Sequence, residues 1–226
     1  LRRCFAPTRK AYVARFSSAS DFGHILGNMT QRGSYAKGVA RREQILEAAL
    51  TVIAREGYRA ASVREIADAV GLSQAGLLHY FDSKEHLFVE ILRKRDELDL
   101  RTYHPEGAED LPAAYERMIA HNAQVPGLVH LFARMSVEAG DPAHPAHAYF
   151  AERTSGFLDG LGDWFREAAD AGRMTPGISP ATASRLVQAA WDGAQLQWLL
   201  DPSVDMAAIV RAAFQSALTG RQAQLQ

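Results

Sequence analysis

Apolar positions recur with a helical period along most of the chain after residue 36. Ile45, Leu46, Ala49, Val52 and Ile53 fall at i, i+1, i+4, i+7 and i+8, a single stripe of a helix running from about Lys37 to Glu56. Val63, Ile66, Ala67 and Val70 repeat at 3, 1 and 3, which predicts a second helix from Val63 to Val70. Ser62 precedes Glu65 by three residues, the spacing of a capping box. Gly71 then ends the helix, because glycine enters the left-handed region without a steric penalty. Ser73 caps a short third helix, Gln74 to Tyr80, with Leu72, Leu77 and Phe81 on its inward side. A fourth helix opens after Asp82 or Ser83, and Asp82 and Glu85 again have capping-box spacing. Leu87, Phe88, Ile91, Leu92 and Leu98 carry its apolar face to about Tyr103, and His104-Pro105-Glu106-Gly107 breaks the chain.

From Leu111 onward every segment is alanine-rich and helical in period, and no strand pattern competes. The expected helices are 112–124, 126–139, 146–171, 180–200 and 204–218, separated by proline and glycine pairs such as Pro126-Gly127 and Pro176-Gly177. Pro112, Pro126 and Pro180 suit first-turn positions, where the missing N–H is not needed. The last two helices hold more apolar surface than one-sided packing requires. We therefore expect them to meet their symmetry mates in a four-helix bundle, with Leu186, Ala190, Trp191, Ala194, Trp198, Val210 and Phe214 at the interface. Ordinary packing within one subunit is the alternative for the same residues.

The stretch from Ser62 to Lys84 has the outline of a helix-turn-helix, two helices about a tight glycine turn, the second of which enters the major groove. Gln74, Ala75 and Gly76 form the first turn of that second helix, where small residues let the backbone approach base edges. A glutamine pairs bidentately with adenine and an alanine meets a thymine methyl. His79 and Tyr80 carry donors suited to phosphate, as do Ser62 and Ser73. Lys84 stands at a helix start, where a lysine opposes the macrodipole unless an anion such as a phosphate lies beside it. A plain αα corner with exposed polar residues shares this outline. Arg41 and Arg42 on the first helix are open between phosphate contact and solvated surface.

Residues 40–92 strengthen the DNA reading, because they resemble the DNA-binding domain of the TetR (tetracycline-repressor-like) family of bacterial regulators. Gly57-Tyr58, the start at Ser62, Ile66-Ala67, Gly71-Leu72-Ser73, His79-Tyr80-Phe81 and Ser83-Lys84-Glu85 with Leu87 stand in the family's order. The family often has tyrosine where this chain has Leu78, a departure that bears on one phosphate or base contact. The segment from Trp191 to Pro202 is also similar to the family's C-terminal half, less specifically. The resemblance implies a homodimer, an all-helical ligand-binding half, and repression released by a small molecule.

Charge is divided along the chain. Residues 1–36 carry six Lys or Arg against one acid, residues 37–103 eleven of each, and residues 104–226 eight Arg against fourteen acids. The acidic half would be kept off a duplex, and the neutral DNA-binding domain predicts a moderate number of phosphate contacts. Residues 1–36 are basic, serine-rich and weakly periodic. They read as a poorly ordered extension, as a basic arm on DNA, as a transit-like segment, or as a translated upstream region with initiation at Met29. The single cysteine, Cys4, excludes an internal disulfide and a multi-cysteine zinc site and fits a cytoplasmic protein.

No HExxH array, glycine-rich phosphate loop or nucleophile elbow appears, so no catalytic residue, metal or cofactor is expected. His144 and His147, three apart beside Pro142 and Pro145, read as loop residues. For an effector site we single out Met118, His121, Phe132 and Trp164, a mixture of apolar wall and polar group that also describes ordinary core. The sequence therefore predicts an all-α protein with three parts. These are an extension (1–36), a three-helix DNA-binding domain with a helix-turn-helix (37–83) and a larger helical ligand-binding and dimerisation domain (84–226). The expected function is a homodimeric repressor that binds a palindromic operator in double-stranded DNA and responds to a small-molecule effector. A helical-bundle enzyme or carrier is the second reading, and a DNA-compacting protein the third.

Overall fold

The computed structural model describes residues 29–57, 62–103 and 110–219. The readings of residues 1–28 and of the His104–Gly107 break lie outside them. Among the described residues the chain forms helices α1 (Met29–Glu56), α2 (Val63–Ala69), α3 (Gln74–Leu78), α4 (Lys84–Tyr103), α5 (Leu111–Asn122), α6 (Pro126–Glu138), α7 (His147–Asp170), α8 (Pro180–Leu200) and α9 (Met206–Ala217). The only β pairing among them is an isolated antiparallel bridge between Met174 and Leu218. No described helix is long and apolar enough to cross a membrane.

Several boundaries differ from the expected ones, most by one or two residues. Helix α1 opens at Met29, ahead of the expected Lys37. The apolar stripe begins only at Ile45, so hydrophobic period is silent on the turns before it. Helix α3 ends at Leu78, ahead of the expected Tyr80, and Tyr80 and Phe81 donate instead to the carbonyls of Leu77 and Leu78 in tighter turns. His147, expected on a loop, opens α7, with its Nδ1 2.9 Å from the Ala139 carbonyl.

The chain divides into two compact units. Within the described residues one holds 29–102 with His121–Phe150, and the other holds Tyr103–Ala120 with residues 151–219. The first unit thus combines α1–α4 with α6 and the start of α7, although the hydrophobic pattern alone grouped everything after residue 83 together. Its core joins Ile45, Ala49, Ile53, Ile66, Leu77, Leu87, Ile91, Leu131 and Tyr149. Burying side chains of this kind contributes about 1.5–3 kcal/mol each, and this is what holds the short helices in place.

Helix α1 packs against α2 and α6 in this unit. The α1–α6 approach is so close that it admits no side chain at Gly127. A Cβ there would run into the Ile53 carbonyl and stand 2.9 Å from the Gly57 Cα. Pro126, ahead of it, takes the first-turn position expected of it.

The second unit is built on an aromatic cluster. The Tyr115 ring lies 5.1 Å from Phe157 and 5.7 Å from both Trp191 and Phe214, in edge-to-face arrangements. Helices α8 and α9 pack on each other along Val187, Trp191, Ala194, Val210 and Phe214, all buried. Arg211 Nη2 pairs with Glu116 Oε2 at 2.8 Å and ties α9 to α5.

Gly127→Ala should destabilise the protein by about 1–3 kcal/mol in chemical unfolding, the cost of overpacking against a backbone that cannot move aside. Gly162→Ala, whose Cβ would meet nothing nearer than the Ser184 Oγ at 3.8 Å, should be neutral or gain up to about 1 kcal/mol.

Candidate nucleic-acid interface

The α2–turn–α3 unit forms by local chemistry. Ser62 Oγ accepts from the Glu65 N–H at 3.3 Å, and Glu65 Oε2 accepts from the Ser62 N–H at 2.7 Å, which completes the expected capping box. At the other end of α2, Gly71 adopts a φ of 68°, in the left-handed region, and Leu72 N–H returns to the Ala67 carbonyl at 2.8 Å. Ser73 then caps α3, its Oγ accepting from the Gly76 N–H at 3.0 Å. The start of α4 is capped by Ser83, whose Oγ accepts from the His86 N–H at 3.0 Å. His86 Nδ1 lies 3.3 Å from the Asp82 N and 3.2 Å from Asp82 Oδ2, so its imidazole stands in the place expected of Glu85.

This folding presents one exposed edge. Ser73, Gln74, Ala75, His79 and Lys84 are exposed and Gly76 and Tyr80 half-buried, while Leu77 and Phe81 are buried beneath them. The Ser73 hydroxyl, although it accepts the cap bond, keeps its own O–H for a further acceptor. Ser62 is exposed too, but its hydroxyl lies 3.2 Å from Glu65 Oε2 and is engaged in the box. Lys84 Nζ stands 5.4 Å from the Phe88 ring centroid, a cation over an aromatic face at the helix start. Leu78 is half-buried and packs against the core.

Two arginines have a role that the sequence left open. Arg41 Nη2 donates to the Val70 carbonyl at 2.5 Å, satisfying the last turn of α2. Arg42 Nη1 donates to the Tyr80 carbonyl at 2.8 Å, its Nη2 pairs with Glu90 Oε2 at 3.0 Å, and its Cζ lies 4.5 Å from the Phe81 ring centroid. A single side chain of α1 thus holds the end of α3 and the second turn of α4. Beside it, Lys94 Nζ pairs with Glu43 Oε2 at 2.7 Å and Glu97 Oε2 at 3.3 Å. Burial pushes the Lys94 amine down, but its hydrogen bonds to the Glu43 and Glu97 carboxylates and their charge outweigh it and hold the group above its usual value, so it stays charged.

The other expected sites fare differently. Of the effector candidates, Met118 and Trp164 belong to one compact unit and His121 and Phe132 to the other. Met118 and Phe132 are buried, and His121 and Trp164 half-buried. Of the interface candidates, Trp191, Ala194, Trp198, Val210 and Phe214 lie in the interior of their own unit. Apolar character does not separate the two faces of α8, and Tyr115 and Phe157 draw Trp191 inward. Leu186 is 43% exposed and Ala190 half-buried, and with Leu196 at 50% and Leu200 at 89% they mark a second apolar stripe of α8 facing away from the core.

The comparisons with known proteins bear on both units. Residues 45–91 match the family described as bacterial regulatory proteins, tetR family. The chain is 34% identical over 112 residues to the HTH-type transcriptional repressor KstR2 of Rhodococcus jostii, covering 50% of this chain and 49% of the relative. It is 41% identical over 54 residues to the HTH-type transcriptional repressor AcnR of Corynebacterium diphtheriae, covering 24% and 28%. The chain thus spans about half, or less, of the length of the curated relatives it matches. Among solved structures, a TetR-family transcriptional regulator from Agrobacterium tumefaciens superposes with a TM-score of 0.60 at 20% identity, over 80% of this chain and 99% of that one. NalD, the secondary repressor of the MexAB-OprM multidrug efflux pump in Pseudomonas aeruginosa, does so at 0.55 and 20%, over 82% and 99%. At that identity the superpositions speak for the fold, while the sequence match speaks for the N-terminal helices. Residues 45–91 are thus similar to the N-terminal segment of the tetR family of bacterial regulatory proteins.

Proposed function

We propose that the protein is a DNA-binding transcriptional repressor that acts as a homodimer on a palindromic operator and changes its operator affinity when a small molecule binds. The observation that carries this reading is the exposed first turn of α3, Gln74-Ala75-Gly76, seated on buried Leu77 and Phe81. Gln74 reads a base edge, Ala75 and Gly76 allow the close approach, and Ser73, His79, Tyr80 and Lys84 contact phosphates. Ser62 contributes chiefly by fixing α2. The capping residues and the match over residues 45–91 support this assignment.

Two subunits are required because one short helix reads only a few base pairs, whereas two on half-sites about 34–36 Å apart read a palindrome. The outward stripe of α8, Leu186, Ala190, Leu196 and Leu200, supplies the dimer contact, and the residues beneath it (Trp191, Ala194, Trp198, Val210 and Phe214) back it from inside. The effector acts through α4, which follows the recognition helix directly and is fastened to α1. Met118, His121, Phe132 and Trp164 remain candidates for contact with it. The match of residues 45–91 to bacterial regulatory proteins favours this reading over a helical-bundle enzyme or carrier.

Selection of bound duplexes from a random pool should return one palindrome, bound roughly 10³-fold or more above random DNA at physiological salt. Enrichment of no sequence would overturn the regulator reading. Gln74→Ala should cost about 1–3 kcal/mol on that operator and relax preference at one base position per half-site. Equal losses on operator and random duplex would remove its base-reading role.

Salt dependence separates the cations. Lys84→Ala should lower the slope of log affinity against log salt by about 1 per subunit. Arg42→Gln should weaken operator binding with the slope unchanged, because its guanidinium is spent on the Tyr80 carbonyl and Glu90. Leu196→Glu should convert the dimer to a monomer in sedimentation velocity while leaving the helical circular dichroism intact. A dimer that persisted would move the interface off α8.

A further inference from the structure

The outward face of α8 carries apolar or small residues at Leu186, Ala189, Gly193, Leu196 and Leu200, a 3-4-3-4 spacing. That is the spacing of a seam along which two helices pack knobs into holes. Leu186, Leu196 and Leu200 are 43%, 50% and 89% exposed, and Ala189 is exposed as well. A Cβ added at Gly193 would meet nothing within 4 Å, so the space in front of it is open.

One flank of this seam is charged. Arg185 directly precedes Leu186 and Asp192 directly precedes Gly193, so the two charges fall on the same side of the seam. Two helical turns separate them, about 10 Å along the axis, too far for one to serve the other within the helix. Arg185 is exposed and makes no hydrogen bond or ion pair among the described residues. Asp192 is half-buried, and its Oδ1 is sealed in without a donor, which leaves Oδ2 as the oxygen that an outside group can reach. Gln188, one turn earlier, donates to Thr154 Oγ1 at 3.5 Å and is committed to α7. Burial raises the Asp192 carboxyl above its ordinary range, and the charge of Arg153 on α7 offsets this only in part. Asp192 is thus short of a donor and of positive charge, and Arg185 is short of an anion.

We propose that a second copy of this chain lays its α8 antiparallel on the seam, so that Arg185 of each subunit pairs with Asp192 of the partner subunit. The proposal rests on the α8 dimer contact above and fixes its direction and register. Symmetry selects the direction. About a two-fold axis a contact between two different positions occurs twice, and in an antiparallel pair the charged flank meets its own copy. In a parallel pair it would meet the opposite flank, Ala190 and Gln197, which carries no charge. The axis passes beside Gln188 and Ala189, midway between the two charges, where the small side chain of Ala189 lets the helices approach. The charges act chiefly by excluding other registers, as flanking pairs do, while the seam supplies the apolar burial.

The test measures the dimer dissociation constant of the full chain by sedimentation equilibrium. Arg185→Glu changes an exposed residue, sets a carboxylate against each Asp192, and should weaken the dimer at least about tenfold. Arg185→Glu with Asp192→Asn removes one of the two facing charges and should return to within about threefold of Asp192→Asn alone; losses that simply add would overturn the pairing. Arg185→Glu and Asp192→Arg, each impaired by itself, should form heterodimers when mixed, because both bridges then join opposite charges. No recovery on mixing would overturn the pairing too. If Asp192→Arg does not fold, the first three variants decide alone. Direction is read by oxidation in a Cys4→Ser background. Ala189→Cys, next to the axis, should cross-link to its twin and Leu200→Cys should not; equal cross-linking of both would mean parallel helices and overturn the proposal. Leu196→Glu separates the proposal from the reading beneath it. A dimer broken by Leu196→Glu yet indifferent to Arg185→Glu keeps the α8 contact and rejects the pairing. A dimer that survives both rejects contact and pairing together.

Discussion

A helix of five residues cannot persist in water alone, because nucleating a turn costs more order than one or two hydrogen bonds return. Helix α3 exists because something outside it fixes both of its ends. Leu77 is driven into the core formed by α1, α2 and α4, Ser73 satisfies the first turn, and Arg42 takes the Tyr80 carbonyl just past the last. With its inward side committed, the remaining side chains have no option except solvent or DNA. The exposed face of α3 therefore depends on an anchoring that lies at its ends and on its inward side.

The anchoring mixes two kinds of force. Apolar burial is strong but indifferent to direction, so it holds α1 and α4 together without specifying how far one slides along the other. The Arg42–Glu90 and Glu43–Lys94 pairs, half-buried and hydrogen-bonded, add direction. At Gly127 the constraint is steric instead, a backbone-to-backbone contact that fixes where α6 crosses the end of α1. Helix α1 is thus held by polar pairs near its middle and by a close-packed contact at its C-terminal end.

What was legible in the sequence was local. Ser62 with Glu65, Gly71 and Ser73 act within a few residues of themselves, so spacing alone was enough to place the helix-turn-helix. The illegible features join distant positions. Arg42 meets Glu90 across 48 residues, and nothing near Arg42 distinguishes it from a surface arginine. Gly127 reads as part of a Pro-Gly break, and its tight seat on α1 is invisible without the partner helix. Arg95, Asp96 and Asp99 look like the polar face of α4, since a pattern of charged residues gives no sign that Tyr149 and Phe132 will cover them. On α8 the largest aromatics suggested an interface, whereas size favoured the interior and left Leu196 and Leu200 outside.

Glu90 and Lys94 lie about one helical turn apart on α4 and are tied to adjacent residues of α1. Two pins so placed define an axis between α1 and α4, and Arg42 extends it to the Tyr80 carbonyl just past the end of α3. None of the four pinned side chains is among the groups that face outward from α3. Under the proposed function, the address on DNA can be rewritten at Gln74 and its neighbours while the pins behind them are inherited whole, so one body serves many operators.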